Sequence, residues 1–224
     1  MMLQDLFAVG QIVRNAVVFN PRNWERLSMD SDSLLRAVRR LFALLDEREI
    51  EYVLVGGVAL LNYVEGRNTQ DIDLIMALPD VVRIPEIRIE YQDNPYFARG
   101  EFEGLQIDLL LTENPLFQLV QEKYTVKQSF LEQEITLGTV EGLLLLKLYA
   151  LPSLYRQGNF VRVSVYENDI ASLLYAYEPD IETVMATLAN YVGEGDIASI
   201  RDIVKEISTR IKRFKKSRGE QTNG

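Results

Sequence analysis

Val55-Gly-Gly-Val-Ala-Leu60, and soon after it Arg67-Asn-Thr-Gln-Asp-Ile-Asp-Leu74, form the stretch on which the reading of this chain turns. The residues before it, Glu51-Tyr-Val-Leu-Val55, are a short apolar run rich in β-formers and predict a buried strand. Gly56-Gly57 stops that strand, and Val58 to Val64 resumes as a helix. Asp71-Ile-Asp-Leu-Ile-Met76 predicts a second strand, an odd one, because aspartate is unfavourable inside strands. Side chains alternate across a strand, so Asp71 and Asp73 point to the same face. Their Cα atoms should lie about 7 Å apart, at roughly 3.3 Å of rise per residue. Two carboxylates at that spacing repel unless something positive sits between them, and a magnesium ion meets that need.

Asp108 repeats the oddity. It is a lone charge in Leu105-Gln-Ile-Asp-Leu-Leu-Leu111, which predicts another strand after a turn at Glu103-Gly104. If that strand lies beside Asp71–Met76, three carboxylates meet on one face. A single aspartate in a strand is usually an edge or end residue, but three in two neighbouring strands are costly unless something uses them. Gly56-Gly57 lets the backbone approach a ligand closely ahead of a helix. It is not a P-loop, because no Lys-Ser/Thr follows, and it lacks the third glycine of a dinucleotide fingerprint.

Working outward, Ser31 or Ser33 can cap a helix reaching about Glu47, with Leu34, Leu35, Val38, Leu41, Phe42 and Leu45 at helical spacing. Residues 2–17 suit a short helix, and Asn20-Pro21-Arg22-Asn23 a turn. Pro79 to Pro85 reads as a connection, with a helix as its alternative, Ile87–Tyr91 and Tyr96–Phe102 as alternating stretches, Leu116–Tyr124 as a helix, and Glu134–Leu137 as a last short strand. From Thr139 the character changes to helices over 140–155, 163–177, 181–191 and 197–214. The expected organisation is a segment of unclear structure over 1–30, an α/β domain over 31–138, a helical domain over 139–215 and a basic flexible tail over 216–224. The fold class expected is α+β: a mixed sheet flanked by helices, then a C-terminal helical region.

Composition narrows the chemistry. The chain has 224 residues, with 47% hydrophobic, so a proper core can form. Cysteine and histidine are both absent, which excludes thiol nucleophiles, histidine bases and zinc thiolate or imidazole sites. Carboxylates, Lys, Arg, Tyr, hydroxyls and hard cations such as Mg2+ or Mn2+ remain. A net charge of −9 argues against bulk attraction to nucleic acid. The sign reverses locally at Arg210, Lys212, Arg213, Lys215, Lys216 and Arg218. That run reads either as cations matching a helix end, the simpler reading, or as a tail touching RNA or DNA. No apolar run is long enough to span a bilayer, and Met1–Val18 lacks a basic leader and contains Asp5 and Arg14. The expected location is the cytoplasm, with no membrane partner.

The combination of Gly56-Gly57, Asp71-Ile-Asp73 and the strand aspartate at 108 resembles the nucleotidyltransferase (DNA polymerase β-like) superfamily. Arg67 and Thr69 just before the aspartate pair look like the small bacterial branch that includes AbiEii-type toxins of type IV toxin–antitoxin systems. The later stretch Gly138-Thr-Val-Glu-Gly-Leu-Leu-Leu-Leu-Lys147-Leu-Tyr-Ala150 resembles that branch's helix with an internal lysine. Asp169 matches the branch's following helix, whose lysine is absent here. The resemblance spans roughly 34–176.

It implies a nucleotidyltransferase-like fold and transfer of an NMP group from an NTP, ATP among them, to an acceptor hydroxyl. Asp71 and Asp73 would bind Mg2+ or Mn2+, and Asp108 would hold a second ion or deprotonate the acceptor. Gly56 and Gly57 would cradle phosphate, and Arg67, Thr69 and Lys147 would serve the nucleotide. Each has a plainer alternative: a surface arginine, a capping threonine, a lysine snorkelling to solvent. Tyr149, Tyr155, Tyr166, Tyr175 and Tyr177 suit core or interface positions better than base stacking. The acceptor is open between RNA, protein and a small molecule, and an antitoxin partner is implied if the chain is a toxin. The other readings are a nucleotide-binding module without catalysis and a purely structural protein.

Overall fold

The computed structural model describes residues 31–221, apart from 66–68, 70, 131 and 132. The helix expected over 2–17, the turn at Asn20–Asn23 and Arg67 lie outside the described residues. The fold is α+β. It divides into two units, residues 1–139 and 140–224.

The first unit is built on a seven-stranded mixed sheet. The chain enters through helix α1 (Ser31–Glu47) and strand β1 (Tyr52–Val55), then α2 (Gly56–Leu61) and β2 (Asp71–Met76). A short α3 (Leu78–Val82) leads to β3 (Arg88–Asn94), β4 (Phe97–Phe102) and β5 (Leu105–Leu111). After α4 (Pro115–Lys123) the strands β6 (Thr125–Phe130) and β7 (Gln133–Gly138) close the unit. The strand order is β3-β4-β5-β2-β1-β7-β6, with β2/β5 and β1/β7 parallel and the other pairs antiparallel.

Local sequence explains these elements. In α1, Ala37, Val38, Leu41, Phe42 and Leu45 are buried and fall on one helical stripe, while Arg36, Arg39 and Arg40 are exposed. Burying a side chain such as Phe42 or Leu45 contributes about 1.5–3 kcal/mol. The central strands carry apolar residues on both faces: Leu74, Ile75 and Met76 in β2, and Ile107 and Leu109 in β5, are all fully buried. Glu103 and Gly104 both take positive φ, 49° and 83°, giving the two-residue turn that matches the twist of a β4–β5 hairpin. Asn114 caps α4, its side chain accepting from the Leu116 N–H at 2.9 Å ahead of Pro115 in the first turn.

Two elements differ from expectation here. α2 begins at Gly56 itself, so the glycine pair forms the start of the helix rather than a loop before it. β6 was not anticipated; among the described residues it is an edge strand paired only with β7.

The second unit is helical: α5 (Val140–Arg156), α6 (Phe160–Tyr177), α7 (Ile181–Leu188) and α8 (Glu194–Gln221). Asn159 and Asp180 cap α6 and α7, accepting from the N–H groups of Arg162 and Thr183. α5 is buried nearly all round, from Val140 through Leu154. α8 runs on past Phe214, the expected end. Its basic stretch is partly used inside this unit: Lys215 pairs with Glu178, and Arg210 lies 3.9 Å from Glu167. No helix among the described residues is long and apolar enough to cross a membrane.

Candidate active site

Strand register sets the candidate residues in a row across the middle of the sheet. Arg99 of β4 stands opposite Asp108 of β5, Asp108 opposite Asp73 of β2, and Asp73 opposite Val55 of β1. The chain turns into Gly56 immediately after that row. The neighbouring row of the same face carries Glu101, Gln106 and Asp71. Registered partners and residues two apart along a strand share a face, so Asp71, Asp73 and Asp108 do. Asp108 is buried, with 4% exposure, while Asp71 and Asp73 are half-buried.

Asp73 is seated against the glycine pair. The Gly57 N–H lies 3.3 Å from Asp73 Oδ2. At Gly56 the φ is +64°, and a Cβ there would stand 1.9 Å from the same oxygen. Glycine is therefore required twice, by the backbone angle and by the approach of the carboxylate. The glycines are explained locally by the aspartate they admit.

Asp108 is held by Arg99. Nε of Arg99 donates to Oδ1 at 2.7 Å, and an Nη donates to Oδ2 at 2.8 Å, a two-pronged pair in which both carboxylate oxygens are engaged. Gln106 Nε2 adds a longer contact to Oδ1 at 3.3 Å. The hydrogen bond to Asp108 is the main cause that raises the Arg99 pKa above its ordinary value, and burial opposes it. The charges of Asp108, Asp71 and Asp73 raise it further, so one guanidinium feels all three carboxylates. The guanidinium carbon also lies 6.0 Å from the centre of the Phe97 ring. Sequence reasoning missed Arg99 because its role depends on register rather than on a motif.

The donor set is wholly hard oxygen, as Mg2+ or Mn2+ prefers. Among the described residues no three acidic side chains are gathered closely enough to hold an ion by themselves. Magnesium is commonly held by one or two carboxylates, with waters and substrate phosphates completing its shell. Asp71 and Asp73 fit that pattern, and Asp108 faces a cation already, the Arg99 guanidinium.

Thr69 is half-buried just ahead of β2. Lys147 belongs to the helical unit and does not snorkel: it is 4% exposed, its Nζ lying 2.7 Å from Oδ2 of Asp169, which is 2% exposed. The same ammonium lies 4.4 Å from the centre of the Tyr166 ring. Two other tyrosines make contacts that link helices of this unit. Tyr155 donates to Glu167, which together with burial pushes its pKa up to about 12, and Tyr175 meets Phe214 edge-on.

No family model matches the chain, and comparison with curated proteins gives no match. Among solved structures, an antigenic nucleotidyltransferase-like protein from Paracoccidioides brasiliensis is similar over 77% of this chain and 93% of its own, at 19% identity and a TM-score of 0.47. ANT(2")-Ia, solved in complex with adenylyl-2"-tobramycin, is similar over 69% of this chain and 94% of its own, at 13% identity and a TM-score of 0.48. At such identities the likeness concerns the course of the backbone and not the chemistry.

Proposed function

We propose that this chain transfers a nucleotidyl group: an NMP moves from an NTP to an acceptor hydroxyl, and pyrophosphate leaves. The observation that supports this reading is the placement of three aspartates on one face of the central strands, with Asp73 seated against Gly56-Gly57. A bound Mg2+ or Mn2+ would supply charge neutralisation for the triphosphate. Asp71 and Asp73 are the residues that would hold it. The Gly56-Gly57 backbone adjoins Asp73 and so borders the phosphates gripped there. Thr69 and Arg67 are the remaining candidates for nucleotide contacts; Lys147, expected from the sequence to serve the nucleotide too, is engaged with Asp169 within the helical unit. Asp108 would take the proton of the attacking hydroxyl, or help to hold a second ion, with one of its oxygens freed from Arg99.

Thermal unfolding of the wild type and of an Asp71→Asn/Asp73→Asn variant, with Mg2+ and each NTP in turn, tests the reading. Asparagine is isosteric and can still accept from the Gly57 N–H, so the variant should fold. A ligand at a hundredfold excess over its Kd stabilises by about 2.7 kcal/mol. At roughly 2–4 °C per kcal/mol, the wild-type midpoint should rise by about 5–10 °C. The variant should show no rise. A wild type indifferent to every Mg2+–NTP pair would sink the proposal.

A further inference from the structure

Arg99 is the most closely engaged charged group on the candidate face, yet nothing in the transfer chemistry above calls for a resident arginine there. Its position is built in. The Glu103–Gly104 turn fixes the register that sets Arg99 directly opposite Asp108. Its side chain is one-third exposed, and the carboxylate it grips is almost wholly enclosed. The fork geometry engages both oxygens, at 2.7 and 2.8 Å. A carboxylate held in that way has given its strongest acceptor positions to the guanidinium and is not ready to take a metal ion.

Resting on the proposed metal–nucleotide reading of Asp71 and Asp73, we infer that Arg99 is the site's own counter-cation, competing with a second divalent ion for Asp108. In the resting protein the guanidinium balances the acidic face and keeps Asp108 reserved. Asp71 and Asp73 are the residues that would hold one ion, and Asp108 would be available to a second only with its oxygens free of Arg99. Arg99 is thus a positioning residue that decides how many ions the site holds. Two charges of like sign a few ångströms apart in a partly buried site repel strongly, so removing the guanidinium should tighten divalent binding by about tenfold or more.

The test is Mn2+ binding without nucleotide, followed by titration calorimetry and by counting bound ions through the loss of the free-ion paramagnetic signal. The proteins are the wild type, Arg99→Gln, Arg99→Gln/Asp108→Asn and Asp71→Asn/Asp73→Asn. Arg99→Gln keeps one amide donor for Asp108, beside Gln106. Arg99→Lys is the fallback should the glutamine variant fold poorly; it keeps the charge but loses the fork, and should bind with intermediate affinity.

The expected result is one ion in the wild type, and in Arg99→Gln either a second ion or binding about tenfold tighter. Adding Asp108→Asn should abolish that gain. If wild type and Arg99→Gln bind Mn2+ with equal affinity and number, the Arg99 inference fails while the Asp71–Asp73 site stands. Weaker binding in folded Arg99→Gln would also overturn it, since Arg99 would then organise the site rather than compete for it. No Mn2+ binding to any folded protein overturns this inference, while the metal–nucleotide reading is decided separately by the Mg2+–NTP unfolding shift.

Discussion

Replacing Gly56 by alanine is expected to destabilise the sheet unit by about 2–5 kcal/mol, from overpacking and from a left-handed backbone angle forced on a non-glycine residue. The added methyl would sit 1.9 Å from Asp73 Oδ2, 2.3 Å from its Cγ and 2.7 Å from its Cβ. Rotating the Asp73 side chain relieves the first two clashes and not the third, because a Cβ moves only with its own backbone. β1 and β2 must therefore part at the row where Val55 faces Asp73. Denaturant unfolding reads the loss directly, as a lower midpoint at unchanged slope. The same substitution should abolish Mg2+–NTP stabilisation under conditions where the variant remains folded, since the displaced group is the proposed ligand. A variant as stable as the wild type would mean that the close seating of Asp73 against Gly56 does not persist in solution.

Lys147→Ala should be of similar size for a different reason. Lys147 and Asp169 are both almost fully buried and stand 2.7 Å apart. Removing one partner of such a pair strands the other charge away from water and costs about 3–5 kcal/mol. Replacing both with apolar residues of similar volume is often neutral, so Lys147→Met/Asp169→Leu should recover most of the loss. The double variant also separates two roles. If the pair is only scaffold, the rescued protein keeps its Mg2+–NTP shift in full. If Lys147 serves the triphosphate, stability returns and the shift does not. A Lys147→Ala protein with an unaltered unfolding midpoint would contradict the buried pairing itself.

Much of the fold could be read from the sequence where apolar runs were bounded by turn residues. Tyr52–Val55, Asp71–Met76 and Leu105–Leu111 are central strands, buried on both faces, and such strands announce themselves by composition. Thr125–Phe130 did not, because an edge strand paired on one side carries little apolar signal. The basic run from Arg210 reads most simply as the cationic end of a helix, and α8 carries it, continuing to Gln221 because lysine and arginine are good helix formers. Asp71, Asp73 and Asp108 stood out as charges in apolar strands, the kind of local inconsistency that a site leaves in a sequence. Arg99 stood out in no such way, since an arginine on an alternating strand is unremarkable. Its role could have been found only by counting back from the turn. With Phe102 opposite Leu105, each step away along one strand is matched on the other, which brings Arg99 to Asp108. Asp169, noted as a family match, is likewise legible as the partner of Lys147 only once α5 and α6 are packed together.

The row from Arg99 to Val55 draws on four neighbouring strands, two of them (β4 and β5) one hairpin and the others brought in from earlier in the chain, and this ties the site's existence to the cooperativity of the sheet. Fraying of either outer strand, β3 or β6, leaves every member of the row in place, whereas loss of β2 or β5 erases it. Amides of the β2–β5 ladder around Asp73 and Asp108 should therefore exchange with solvent only through opening of the whole sheet, and those of β3 through smaller, more frequent openings. Native-state hydrogen exchange would read this as two classes of protection free energy. Asp73 and Asp108, on the two central strands, are then lost together, whereas Arg99 on β4 lies one strand nearer the edge.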